Sequence, residues 1–222
     1  MMNKGNENMN AVIEEIVEFI KRSNHQIMIR IGGHGGSGKS TFCQQLIKCL
    51  NPKDYNMIST DTYIVNSNLR KHTKAKYMYN GIEHEAKVTA CMPEAHNVDI
   101  LERDIRALHN GIDIMTIETP WQQSERLDAT KKVTILEGMT TTFIDSKWVD
   151  LSIYIYTDNE TELKRRFDRD VHVRGIDIEY LKASQDERRI QYELFMHPLL
   201  ENFDIVIDHS NDLFKILKNQ LN

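Results

Sequence analysis

A chain of 222 residues, 40% hydrophobic and 27% charged, has the balance of a soluble protein with enough apolar material for one core. A net charge of −5 gives no general pull toward nucleic acid or an anionic membrane, and no apolar run approaches membrane-spanning length. Three cysteines, Cys43, Cys49 and Cys91, lack zinc-site or redox-pair spacing; their odd number argues against a secreted disulfide scaffold, so a reducing, cytoplasmic setting is expected.

Residues 11–25 are expected to form an N-terminal packing helix. Val12, Ile13, Ile16, Val17 and Ile20 make one apolar face, with Glu14, Glu15, Glu18 and Lys21 opposite. Residues 26–31 read as a buried strand. Next come Gly33, His34, Gly35, Gly36, Ser37, Gly38, Lys39 and Ser40, in the pattern G-x-x-x-x-G-K-S, the Walker A phosphate loop. From Thr41 onward Phe42 and Leu46 recur at helical spacing, so the motif lies between a strand and a helix, as its chemistry requires. The glycines let backbone N–H groups turn inward, and with the helix N-terminus these form an anion cradle. Lys39 is placed to reach the outer phosphates, and the Ser40 hydroxyl to ligate Mg2+.

Asn51-Pro52 ends this helix, and 55–59 is a second strand. Ligands of open α/β sheets bind beyond the carboxyl ends of strands, so Asp61 stands where an acceptor hydroxyl would meet a γ-phosphate; a turn or helix-capping aspartate is the alternative. Residues 64–92 form an acceptor-side insertion. Its Arg70, Lys71, His72, Lys74, Lys76, Tyr77 and Tyr79 suit phosphate or a ring-bearing substrate, or else a solvated surface. Helical periodicity returns over 98–109, strand alternation over 112–117. The strand over 132–136 closes at Glu137-Gly138; an acid there resembles the second element of a phosphate site, which holds Mg2+ or its water. Residues 149–156 suit a central parallel strand. The lid region, 160–176, gathers Arg165, Arg166 and Arg169 along one helix, suited to closing over ATP, or to a surface helix neutralised by Asp168 and Asp170. A long polar helix over 177–197, a short strand over 204–208 and a closing segment over 212–221 complete the chain.

Four stretches in this order, GHGGSGKST (33–41), STDTY (59–63), VTILEG (133–138) and LKRRFDRDVHVRG (163–175), resemble the uridine kinase and phosphoribulokinase-like family of P-loop small-molecule kinases. The expected architecture is α/β: residues 1–222 as one P-loop kinase domain, a mostly parallel five-stranded sheet, helices on both faces and an arginine-bearing lid helix. The resemblance implies ATP-dependent phosphorylation of a small-molecule hydroxyl, with ATP as co-substrate and Mg2+ as cofactor. It implies Asp61 as general base, Lys39 neutralising the transferred group, and Ser40 and Glu137 holding the metal. It also implies Arg165, Arg166 and Arg169 as the R-R-x-x-R-D lid, with Arg174 in the following R-G. On the acceptor side it implies Asp61, Tyr63, the position held by Cys91, Trp121 and Arg126.

Three departures bear on the acceptor. Cys91 stands where the family has a sugar-binding aspartate, Ile176 where an arginine is usual, and Trp121 in the segment that otherwise carries tyrosine. Weak activity on uridine is therefore expected. A sugar, a phosphosugar or a pantothenate-like alcohol is the alternative acceptor, and a nucleotide-dependent regulatory ATPase the alternative class. The expected partners are ATP and a small alcohol, with no nucleic acid and no membrane; homo-oligomerisation is left open.

Overall fold

The computed structural model describes residues 4–171 and 178–221. In chain order its elements are α1 (Lys4–Arg22), β1 (Ile27–Gly32), α2 (Lys39–Lys48), β2 (Tyr55–Ser59), a short α3 (Ser67–Arg70), β3 (Lys74–Tyr79) and β4 (Ile82–Lys87). They continue with α4 (Val98–His109), β5 (Ile114–Met115), β6 (Arg126–Leu127), β7 (Val133–Glu137), β8 (Leu151–Tyr156), α5 (Asn159–Arg166), α6 (Ile178–Gln191), β9 (Ile205–Asp208) and β10 (Lys215–Asn219). Among the described residues no helix is long and apolar enough to cross a membrane.

The main sheet has the order β10-β9-β8-β1-β7-β2. The five strands β9, β8, β1, β7 and β2 run parallel, as expected from their apolar runs. A sixth, β10, adds antiparallel to β9 at the edge, with a register shift between Ile216 and Lys218. β1 is buried along its whole length, and its period-two alternation divides two cores. Ile27, Ile29 and Ile31 meet the α1 residues Val12, Ile13 and Ile16 and the α2 residues Phe42 and Leu46. Met28 points the other way, to Ile58 of β2 and Leu101 and Ile105 of α4. Each such side chain contributes about 1.5–3 kcal/mol by leaving water. Arg30 is tolerated inside this strand because its guanidinium donates to the carbonyls of Ile144 (2.9 Å) and Asn202 (3.0 Å) and lies over the Phe203 ring.

One predicted segment takes another form. The 112–117 stretch contributes only β5, which pairs with β6 in a separate two-stranded ribbon. Ile112 and Met115 are exposed there, while Ile114 and Ile117 pack against the second core, so the segment lies on that core without joining the main sheet. The 64–92 insertion holds α3 and the β3–β4 hairpin, whose turn residues Asn80 and Gly81 both have positive φ. The hairpin docks through side chains on α6 and on the helical turn that follows it, 192–196. Tyr77 donates to Glu187, Tyr79 donates to Glu193 (2.6 Å), and Gln191 donates to the Tyr77 hydroxyl (2.7 Å).

Candidate functional site

Parallel register brings the site together. Ile31, Glu137 and Ser59 are aligned across β1, β7 and β2, so the chain leaves all three strands at one level. The phosphate loop, Glu137-Gly138 and Asp61 therefore meet at the carboxyl edge of the sheet, where open α/β sheets hold their ligands.

In the loop, Gly38 takes a left-handed conformation at the N-cap of α2 and has no side chain to cap it. The first N–H groups of α2 thus open on the cavity lined by Gly38, Lys39, Ser40 and Thr41, with the positive end of the helix dipole behind them. Lys39 is buried and donates to the His34 carbonyl at 2.8 Å. Burial pulls its pKa down, while Glu137 and Asp61 hold it up. The His34 ring lies beneath the loop. Its Nε2 accepts from the Thr157 amide (2.9 Å), which leaves the proton on Nδ1, beside the Gly35 carbonyl (3.0 Å). Burial lowers its pKa to about 4, so the ring is a neutral brace.

Gly138 lets Asp61 approach. Its φ is 140°, and a Cβ there would stand 2.5 Å from Thr60 Oγ1 and 2.8 Å from Asp61 Oδ1. Asp61 Oδ1 accepts from the Met139 amide at 3.2 Å, and the carboxylate is otherwise exposed at the cavity. Glu137 is buried and accepts from Ser40 Oγ at 3.1 Å. Burial raises its pKa, against the pull of Lys39. A buried carboxylate beside a hydroxyl is a pair of hard oxygen donors short of positive charge. This fits Mg2+, which uses one or two protein oxygens and completes its shell with phosphate and water.

The lid region brings three arginines to the same cavity, of about 660 Å³. Arg165 braces the loop, reaching the carbonyls of Gly36 (3.3 Å), Ser37 (3.4 Å) and His209 (3.0 Å) and the Asp212 carboxylate (2.9 Å). Arg166 donates to Gln185 of α6 at 2.6 Å, and Arg169 lines the cavity beside it. Arg174 lies outside the described residues.

Four acceptor-side candidates are not brought to this cavity. Tyr63 is fully buried and donates to Asp104 of α4 at 2.8 Å. Cys91 is fully buried among Tyr154, Tyr192, Met196 and Phe203; it serves as core, in a place with no room for a hydrated hydroxyl. Trp121 is 62% exposed beside the β5–β6 ribbon, and Arg126 is paired with Asp113 on the surface. The cavity instead takes in Ser67 and Arg70 beside Asp61, Arg188 from α6, and His209 and Asp212 from the turn after β9. The last two follow a strand's carboxyl end, the one positional signal that pointed to them. Arg188 carried no such signal.

The family described as phosphoribulokinase / uridine kinase matches residues 28–213. A chloroplastic phosphoribulokinase of Arabidopsis thaliana is 29% identical over 82% of this chain, and the chain spans about half, 49%, of that relative. Uridine-cytidine kinase B of Dictyostelium discoideum is 28% identical over 82% of this chain and 70% of its own. The solved phosphoribulokinase from Rhodobacter spheroides superposes with a TM-score of 0.61 at 16% identity, covering 84% of this chain and 71% of that one, a likeness of fold.

Proposed function

The chain belongs to the phosphoribulokinase / uridine kinase family, and on that footing we propose that it transfers the γ-phosphoryl group of ATP to a hydroxyl of a small molecule. The observation that carries this is the meeting of Lys39, Ser40, Glu137 and Asp61 at the ends of adjacent strands, facing Arg166 and Arg169 in one cavity. The acceptor oxygen forms a bond to the γ-phosphorus; the bond to the bridging β–γ oxygen breaks, and its electron pair leaves with ADP. The acceptor proton passes to the Asp61 carboxylate. Lys39 and the lid arginines meet the charge on the phosphoryl oxygens, and the backbone cradle holds the rest of the chain of phosphates. Ser40 and Glu137 would hold Mg2+, which would supply neutralisation of the outer phosphate oxygens. Arg165, tied to the loop and to the turn after β9, keeps the nucleotide end of the cavity in shape.

The acceptor end favours an alcohol that also carries phosphate or carboxylate. Arg70 is fixed by the carbonyls of Val65 (2.7 Å) and Val88 (3.0 Å) and lines the cavity with Ser67 beside Asp61. Among the described cavity-lining residues no Phe, Tyr or Trp offers a nucleobase a face to stack on. The test is an acceptor panel with ATP and Mg2+, read by ADP release: nucleosides, pentoses, phosphosugars, and pantothenate-like alcohols. Turnover should concentrate in the anionic alcohols. A kcat/KM for uridine of ~10^4 M⁻¹s⁻¹ or more would overturn the acceptor reading. ADP release that no acceptor stimulates would favour a regulatory ATPase.

A further inference from the structure

Helix α6 approaches the phosphate loop from outside the lid motif. Its Arg188 lines the cavity with Lys39 and Arg169, and its Nη2 stands 3.1 Å from the place a Cβ would occupy on Gly35. Gly35 has no left-handed φ, so backbone conformation does not demand a glycine there. The close approach of a guanidinium gives a reason for one. The charge of Arg188 is felt at Lys39, whose pKa it helps to lower.

What holds Arg188 is a buried acid. Glu162 of α5 is 1% exposed, and its Oε1 accepts from Arg188 Nε at 3.0 Å. Around the same carboxylate stand Arg189 at 3.5 Å, Arg166 at 3.9 Å and His34 Nδ1 at 3.4 Å. Arg189 has a second acid in Glu193 at 3.1 Å. Glu162 thus links the helix of the lid, α6 and the brace beneath the phosphate loop. Three guanidinium groups thus converge on one buried carboxylate, beside a neutral His34, where the cavity begins.

We propose that Arg188 is a further catalytic residue, contacting the oxygens of the phosphoryl group in flight, and that Glu162 is the positioning residue that aims it. The assignment rests on the kinase reading above. A planar fork fixed at Nε keeps its Nη groups in one direction, so it meets two phosphoryl oxygens at once with little reorganisation, which an ammonium cannot copy.

The test needs no acceptor. Binding of Mg2+-ADP is measured by calorimetry with and without aluminium fluoride, which completes a mimic of the transferring phosphoryl group. In wild type the fluoride tightens binding. In Arg188→Ala and Arg188→Lys this tightening should fall by ~100-fold, while the Kd for Mg2+-ADP alone stays within about threefold. Glu162→Gln keeps the shape and removes the charge, and should lose most of the same tightening with ADP affinity retained. Thermal melts check that each variant is folded. Fluoride-dependent tightening that survives in both Arg188 variants, or ADP binding that weakens as much as the fluoride complex, would overturn the role of Arg188. A wild-type response in Glu162→Gln would overturn that of Glu162. Failure of the wild type to bind Mg2+-ADP would overturn the kinase reading, and this assignment with it.

Discussion

Replacing Gly138 by alanine tests how closely the strand ends must fit. The added methyl would stand 2.5 Å from Thr60 Oγ1 and 2.8 Å from Asp61 Oδ1, at a φ of 140° that side chains rarely adopt. Backbone strain of this kind costs about 1–3 kcal/mol and a local overpacking a similar amount, so a loss of about 3 kcal/mol is expected. For a chain of this size that is a fall in Tm of roughly 6–12 °C. The chemical loss should be larger than stability alone explains. The atom struck is the carboxylate assigned to the acceptor proton, and a ~1 Å displacement of a catalytic group costs on the order of 100-fold in rate. ADP affinity should change little, because the phosphate loop is untouched. Urea titration, ADP calorimetry and steady-state kcat with the acceptor found in the panel give the three readings. A Gly138→Ala enzyme with near-normal kcat would refute the claim that Asp61 acts from this position.

Lys39→Ala should lower kcat at least ~100-fold while leaving the fold intact by circular dichroism, since its side chain makes one hydrogen bond, to the His34 carbonyl. Arg166→Lys keeps the charge but loses the fork that meets Gln185, and should weaken turnover more than ADP binding in steady-state kinetics and titration. Cys91→Asp should not restore activity on uridine; it puts a carboxylate into a fully buried place among tyrosines and should lower stability, measured by urea unfolding. Burial depresses both His34 and His96 to about 4 from an ordinary 6.5, so the native state binds fewer protons than the unfolded chain between these values. The stability they contribute is present above pH 6.5 and lost as pH falls toward 4. Each should cost about 1–2 kcal/mol by pH 5. Tm measured at pH 7.5 and 5.0 should show this, with a shallower fall in His96→Gln.

The phosphate end of the site was legible in the sequence because its geometry is local. A strand, a glycine loop and a helix follow one another within residues 27–48, and the acids of the next two site strands close their own apolar runs. The acceptor end was not, because it depends on which way a side chain faces. Tyr63 follows closely on Asp61, yet it turns into the core, and so does Cys91 of the insertion. Arg188 is one of several polar residues on a long helix, and only the packing of α6 against α5 reveals which of them reaches the loop. The edge strand β10 escaped for a related reason: its KILKN run sets two apolar residues side by side between lysines, which shows neither a continuous apolar run nor strand alternation.

The central place of β1 also governs how the protein is made. Its two partners, β7 and β8, lie about a hundred residues downstream, at Val133–Glu137 and Leu151–Tyr156. A nascent chain emerging from the ribosome therefore carries a nearly continuous apolar strand, and the finished phosphate motif, long before anything can pair with it. Contacts so distant in sequence form slowly, and an unpaired apolar strand invites association between chains in the meantime. Early on, α1 and α2 are the elements at hand to shield Ile27, Ile29 and Ile31. Shortening α1 should accordingly reduce the soluble yield on refolding more than it reduces the equilibrium stability of the protein that does fold.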